Sequence, residues 1–289
     1  MDAITRIEHA LSGAVASAEL PGSPPRLAQA LRHAVFPRGA RLRPRLCLAV
    51  AAACGDDRPA VSTAAAAAIE LLHCASLVHD DLPCFDDAAT RRGRPSVHAA
   101  FGVPLAVLAG DALIVLAFQQ LAQGAARAPQ RLAGLVGIVG GAVGVPFGIV
   151  AGQAWECESA VDLSRYQQQK TGALFAAAGM AGAAAAGSPA EPWRRLGECL
   201  GEAYQVADDL RDAVADAEEI GKPTGQDALH NRPNAVALLG LEGAMARLEQ
   251  FAAAAADAIP PCPGAEPMRA LILQEVRRLM PRQLAVQAA

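Results

Sequence analysis

The sequence predicts an all-α fold, and three observations carry that prediction. Hydrophobic residues make up 53% of the 289 residues and alanine is abundant throughout, while aromatic residues reach only 4%. Alternating runs of Val, Ile, Thr and Tyr, which half-buried strands need, are scarce. Apolar residues recur instead at helical spacing along almost the whole chain. With 19% charged residues there is material for a sizeable core, which excludes a disordered or fibrous chain.

The elements follow in order. Ile4, Ile7, Leu11 and Val15 fall on one helical stripe, and Asp2 and Glu8 stand where a secretory signal would be apolar. Residues 27–36 and 41–54 read as helices divided by Pro37 to Gly39. Residues 61–82 form a long helix that Pro83 stops. Further helices are expected over 104–124, 129–154, 163–187, 191–215 and 233–256, with Pro24-Pro25 and Gly187-Ser188-Pro189 as breaks. Pro260, Pro261 and Pro263 make a stiff connector. The final helix near 267–280 is too short for a domain of its own and is expected to pack back on the body. The organisation predicted is one domain over 1–289.

Composition excludes several classes. Lys+Arg 25 against Asp+Glu 29 gives a net charge of −4, with no basic field for nucleic acid. The seven cysteines are odd in number and contain no CxxC pair, so they are expected to be small buried hydrophobes in a reducing cytoplasm. Leu132 to Gly152 is uncharged for 21 residues, long enough to cross a bilayer. Its seven glycines and Pro146 favour a buried central helix, or two helices broken near Pro146, over a stable membrane span.

Chemistry concentrates in two acidic clusters. His79-Asp80-Asp81-Leu82-Pro83-Cys84-Phe85-Asp86-Asp87 carries four carboxylates and is followed by Arg91-Arg92-Gly93-Arg94. Asp80 and Asp81 sit in the last turn before Pro83, and the next loop can bring Asp86 back beside Asp80. The second cluster is Gln205-Val206-Ala207-Asp208-Asp209-Leu210-Arg211-Asp212. There, Asp208 and Asp212 are four apart and share one helix face. Carboxylates at a helix C-terminus oppose the helix dipole, which points to a bound cation. Oxygen ligands without Cys or paired His indicate Mg²⁺ or Mn²⁺, and Mg²⁺ is completed by water and substrate phosphates. Neighbouring arginines supply a phosphate-binding fork.

Read together, these segments resemble the trans-isoprenyl diphosphate synthases, or polyprenyl synthetases, along essentially the whole chain. That family's first motif, DDxxxxD followed by RRG, appears as Asp80, Asp81, Asp86 and Arg91-Arg92-Gly93. Its second, QxxDDxxD followed by GKP, appears as Gln205, Asp208, Asp209, Asp212 and Gly221-Lys222-Pro223. Between them lie Gly152-Gln153 and Lys170-Thr171-Gly172. The resemblance implies a homodimeric bundle of long helices around a central cavity. It implies three Mg²⁺ ions, with Asp80 and Asp86 as ligands of two and Asp208 of the third, supported by Asp81, Asp209 and Asp212. Arg91, Lys170, Thr171, Gln205 and Lys222 would hold the allylic diphosphate, with Arg91, Lys170 and Lys222 acting in catalysis. Arg43, His73 and Arg92 would hold isopentenyl diphosphate. One departure stands out: GGKRLRP of the family reads Arg38-Gly39-Ala40-Arg41-Leu42-Arg43-Pro44 here, so the usual lysine is Ala40, and Arg38 or Arg41 is the cation expected to reach in its place.

The reaction implied is head-to-tail prenyl transfer, with the Gly221 to Gly225 loop as a candidate lid. Counting back from Asp80, Ser76, Leu72 and Ile69 line a stripe away from the metal site, with Ala75 beside it. A helical turn rises 5.4 Å, comparable to one isoprene unit, so the first bulky residue along this stripe should limit product length. Ala75 and Ser76 are small, and Leu72 and Ile69 form a deeper floor, which favours a C20 product. The context of the first motif is closest to bacterial geranylgeranyl diphosphate synthases that feed carotenoid or bacteriochlorophyll pathways. A C15 farnesyl product or a weakly active partner subunit is the alternative. A terpene cyclase and an HD-type phosphohydrolase fit the arginines and histidines less well.

Overall fold

The computed structural model describes residues 2–36, 39–158, 166, 168–214 and 234–280. They are helical almost throughout, apart from one two-stranded ribbon. They fall into two compact units, Met1–Gly140 with Ala181–Pro189, and Gly141–Met180 with Ala190–Ala289.

The first unit starts with α1 (Ala3–Ala16), which Asp2 caps by accepting from the Thr5 N–H at 3.1 Å. Its stripe of Ile7, Leu11, Ala14 and Val15 is buried. Next come α2 (Pro25–Val35) and α3 (Leu42–Ala53), then α4 (Pro59–Asp80), each of α2 and α4 opened by a proline in its first turn. A short α5 (Val97–Phe101) precedes α6 (Val103–Gly124). Both α4 and α6 have 22 residues, a length of about 33 Å. They pack along one another because small residues line the contact. Ala64 to Ala68 are buried on α4, Gly124 of α6 comes so close to Ala64 that a Cβ there would collide with it, and Gly110 receives the ring of His79.

β1 (Thr90–Arg91) and β2 (Arg94–Pro95) form an antiparallel hairpin, with Arg91 opposite Arg94. Its two linking residues, Arg92 and Gly93, have φ of 54° and 72°, as a type I′ turn requires.

α7 (Pro129–Val143) and α8 (Ile149–Ala154) replace the single helix expected over 129–154, so the break falls near Pro146. The segment is not buried as composition suggested: Val136, Val145, Phe147 and Val150 are all exposed. Sequence composition registers apolar character but not whether a helix faces its own chain or a partner.

In the second unit a π-turn over Gln168–Gly172 leads into α9 (Ala173–Ala185), whose residues up to Met180 belong to this unit, and α10 (Arg194–Val214) packs against that part and against α11 (Ala235–Asp257). The approach depends on glycine. A Cβ on Gly197 would fall 2.5 Å from Ala176 Cα, and one on Gly201 would fall 2.9 Å from Gly172 Cα. Beyond the prolines, α12 (Ala265–Leu279) packs back on α11 through Met268, Ile272 and Val276, as expected. Among the described helices α4 and α6 are long and apolar enough to cross a membrane, and 78% of the α4 window is buried as core. All seven cysteines are free. Only Cys47, Cys74 and Cys199 are buried, while Cys84 and Cys157 are exposed, which corrects the expectation that all seven serve as core residues. Burial pushes the Cys47 and Cys74 thiols up to about 12.

Candidate active site

The first acidic cluster is built by the end of α4 and the turn after it. Pro83 ends the helix, and the chain folds back so that the Asp86 N–H donates to the Asp80 carbonyl at 2.9 Å and the Ala88 N–H to the Asp81 carbonyl at 3.2 Å. Asp86 is thus returned beside Asp80, as its spacing predicted. Three of the cluster's four carboxylates differ in their surroundings. Asp86 is exposed and Asp80 half-buried, whereas Asp81 is 2% exposed and accepts from Arg91 Nε at 2.9 Å and from Arg91 Nη2. Burial, with the nearby charge of Asp86, raises the Asp81 carboxyl above its ordinary pKa despite Arg91.

The hairpin turn aims the two arginines differently. Arg91 returns to Asp81, while the Arg92 guanidinium lies on the backbone of Gly39, where a Cβ would stand 2.6 Å from its Cζ. Arg43, at the start of α3, is 8% exposed. Around the part-buried His73, burial first and then the charges of Arg43, Arg92, Arg41 and Arg91 hold the imidazole well below its ordinary pKa. Of these guanidiniums, Arg91 is tied to Asp81 and Arg41 to Glu8 and Glu70, so Arg43 and Arg92 beside the neutral histidine are the cations that favour an anion here.

Arg41 does not stand in for the lysine that Ala40 replaces. It is 3% exposed and donates to Glu8 at 2.9 Å, to Glu70 at 2.6 Å and to the Val35 carbonyl at 2.9 Å. Those carboxylates raise its pKa even against burial. The left-handed φ of 52° at Arg41 turns the chain into α3 and sends this side chain inward. Arg38 lies outside the described residues, as do Lys222 and the Gly221 to Gly225 loop.

Behind the acidic cluster, Ile69, Leu72 and Ala75 are buried and Ser76 is part-exposed, its hydroxyl donating to the His73 carbonyl at 2.9 Å. His79 stacks on Gly110 and lies 3.3 Å from the Val107 carbonyl.

In the second unit, α10 presents Asp208 and Asp212, both half-buried, one turn apart; Asp208 pairs with Arg211 at 3.2 Å. Asp209 has a different position. It is 3% exposed, accepts from Gln205 Nε2 at 3.1 Å and takes the Ala235 N–H at 2.7 Å, joining the Asn234 cap at the start of α11. A cavity of about 880 Å³ is lined in part by Thr171, Gln205 and Asp209. Lys170 extends from the π-turn to Glu156 at 2.8 Å.

Asp80, Asp86, Asp208 and Asp212 offer only oxygen donors, and among the described residues no three His, Cys, Asp or Glu side chains gather tightly enough to enclose an ion. Taken unit by unit, the Asp80–Asp86 pair and the Asp208–Asp212 pair each fit Mg²⁺, which is held by a few carboxylates and completed by water and phosphate oxygens. Sequence reasoning missed the Asp81–Arg91 pair, the anchoring of α11 by Asp209 and the Glu156–Lys170 contact. The first depends on the short ribbon at 90–95, which the sequence does not signal, and the other two join residues too far apart in sequence to be read as neighbours.

Comparison with known proteins places these features. The Polyprenyl synthetase family matches residues 24–258. A geranylgeranyl diphosphate synthase of Cereibacter sphaeroides is 55% identical over 280 residues, covering 97% of this chain and 97% of the relative. One from Rhodobacter capsulatus is 53% identical, covering 95% of each chain. Among solved structures, an apo FPP/GFPP synthase from Zymomonas mobilis superposes with a TM-score of 0.78 at 32% identity, covering 94% of this chain and 96% of that one. A geranyltransferase from Helicobacter pylori complexed with magnesium and isoprenyl diphosphate gives a TM-score of 0.78 at 28% identity, covering 96% and 98%.

Proposed function

The chain belongs to the polyprenyl synthetase family, and from that premise we propose that it is a Mg²⁺-dependent prenyltransferase that extends allylic diphosphates with isopentenyl diphosphate to geranylgeranyl diphosphate (C20). The observation that carries this reading is the gathering of Arg43, Arg91 and Arg92 around a neutral His73, beside the Asp80–Asp86 turn. Cations and carboxylates in one place suit a metal-bound diphosphate and little else.

Arg43, His73 and Arg92 hold isopentenyl diphosphate, and Arg91, Lys170, Thr171, Gln205 and Lys222 hold the allylic partner. Asp80, Asp86 and Asp208, with Asp212 in support, would hold three Mg²⁺ ions (or Mn²⁺), which when bound would supply Lewis-acid stabilisation of the leaving diphosphate. Asp81 contributes through Arg91, which it fixes, rather than by offering a carboxylate of its own. The allylic C1–O bond breaks and its electron pair departs with diphosphate. The isopentenyl double bond supplies the pair for the new C–C bond, and the proton then lost goes to the released diphosphate. Fixed guanidiniums stabilise the charge that develops on the leaving group.

The same proposal places the enzyme in the cytoplasm, where free cysteines persist, and makes it a homodimer. The α6 face carrying Val103, Val107, Leu108 and Val115 is the support for dimerisation.

The test is incubation of the purified protein with radiolabelled isopentenyl diphosphate, Mg²⁺ and, in turn, dimethylallyl, geranyl and farnesyl diphosphate, followed by dephosphorylation and sizing of the alcohols. A C20 alcohol from every primer is expected. Asp80→Ala and Asp208→Ala should each lower kcat by about 100-fold or more, with thermal unfolding unchanged. A C15 stop overturns the chain length and leaves the reaction, whereas no elongation with any primer overturns the function.

A further inference from the structure

Glu156 lies outside every motif read from the sequence, yet the structure gathers several donors on its carboxylate. Oε1 accepts from Lys170 Nζ at 2.8 Å and from the Tyr166 hydroxyl at 2.5 Å, and Oε2 accepts from Gln153 Nε2 at 2.8 Å. The surrounding chain is built to hold this contact. Gly152 presses on the π-turn so closely that a Cβ would sit 2.6 Å from Lys170 N. Trp155 Nε1 donates to Gln169 Oε1 at 2.9 Å, which locks the residue beside the lysine. The stretch from Gly152 to Glu156 is therefore registered against the π-turn at main chain and side chain alike.

Stability is a weak explanation for the pair. The Lys170 and Glu156 side chains are only 16% and 22% exposed, and for a largely buried ion pair the cost of desolvation offsets much of the attraction, so its net contribution to folding is small. Position is the better one. A lysine has four rotatable side-chain bonds, and closing it on a ligand costs that freedom unless a partner has already removed it. An ammonium carries three N–H donors, so it can hold a carboxylate and a diphosphate oxygen at once. A carboxylate braced by a phenol and an amide does not follow the lysine when it shifts; it sets where the lysine stands.

We propose that Glu156 is a positioning residue that holds the Lys170 ammonium in place for the diphosphate of the allylic substrate. The proposal rests on the reading of Lys170 as a diphosphate ligand. Its test is a double-mutant cycle of Glu156→Ala, Lys170→Ala and the double variant. The readouts are steady-state kinetics with geranyl diphosphate and inhibition by inorganic diphosphate. Glu156→Ala is expected to raise KM for geranyl diphosphate and the inhibition constant of inorganic diphosphate by about tenfold, with kcat changed less than about threefold, and to add nothing to Lys170→Ala. Tyr166→Phe, which keeps the ion pair and loosens the carboxylate, should give a smaller shift in the same direction. Additive single effects, or a normal Glu156→Ala beside an impaired Lys170→Ala, overturn the proposal and leave Lys170 as a ligand. A harmless Lys170→Ala overturns the reading of Lys170 and the proposal with it. Should Glu156→Ala fail to fold, Glu156→Gln runs the same cycle.

Discussion

Neighbouring carboxylates of identical chemistry have different surroundings here, and burial separates them. Asp80 is half-buried beside an exposed Asp86, while Asp81 is enclosed and tied to Arg91. On α10, Asp208 is half-buried and pairs with Arg211, while Asp209 is enclosed and tied to Gln205 and the start of α11. In each cluster the more enclosed aspartate organises the groups around it, and the neighbouring one is more accessible. Under the proposed function the same distinction should set product length. Ala75 is 2% exposed one turn below the acidic turn, so its side chain is internal and has no room for an aromatic ring unless the space lodges the growing tail. Replacing it with Phe, or replacing Ser76 with Phe, should move the product from C20 toward C15 or shorter in the primer assay, because each turn of α4 rises about one isoprene length. If both variants still yield C20, α4 does not form the floor.

At the scale of the element, helices are set close by glycines whose missing Cβ is the contact, and this separates two kinds of glycine that look alike in sequence. Gly197 meets Ala176 backbone, which cannot move aside, whereas Gly13 on α1 has nothing within 4 Å of where a Cβ would be. Gly197→Ala should destabilise the fold by about 1–3 kcal/mol through overpacking. By contrast, Gly13→Ala should stabilise by about 0.5–1 kcal/mol by restricting the unfolded chain. Urea unfolding of the two variants checks this, and equal responses would refute the contact. Nothing in the local sequence distinguishes the two positions; the partner helix does. Much else was legible. Pro83 marked the end of α4 because proline is refused within a helix, whereas the start at Pro59 falls two residues before the expected 61, since proline is tolerated in a first turn. Asp86 returns to Asp80 because only a tight turn fits between Pro83 and the arginines. The ribbon at 90–95 was not legible, since two-residue strands show no alternation, and without it the pairing of Arg91 with Asp81 had no geometric basis. Arg41 misled for a related reason. Its charge suggested the diphosphate, but its left-handed backbone turns it toward Glu8 and Glu70, which lie far away in sequence.

At the scale of the molecule, α6 has an apolar face that no other described residue of its unit covers. α6 buries Ala106, Ala109, Gly110, Leu113, Leu116, Ala117 and Leu121, and its other side keeps Val103, Val107, Leu108 and Val115 between 39% and 55% exposed. A helix apolar on all sides is stable in water only when both sides are covered. The occupant could in principle be a bilayer, since the α6 window has a mean hydropathy of 1.8. Asp111 argues otherwise: it sits within that face, its side chain 61% exposed and 3.8 Å from His79, and a carboxylate is costly in hydrocarbon. A second copy of the chain, which can leave room for a solvated or paired charge, fits better. A two-fold contact would bring α6 against α6 and join two copies of the helix that supports His79 and, through it, the acidic turn of α4. Leu108→Glu combined with Val115→Glu should therefore convert a dimer to a monomer in light scattering after gel filtration, with helical circular dichroism retained. Wild type that runs as a monomer at micromolar concentration would remove α6 as the dimer interface. Sedimentation of wild type with anionic vesicles, lost in the same double variant, would reassign the face to a membrane surface.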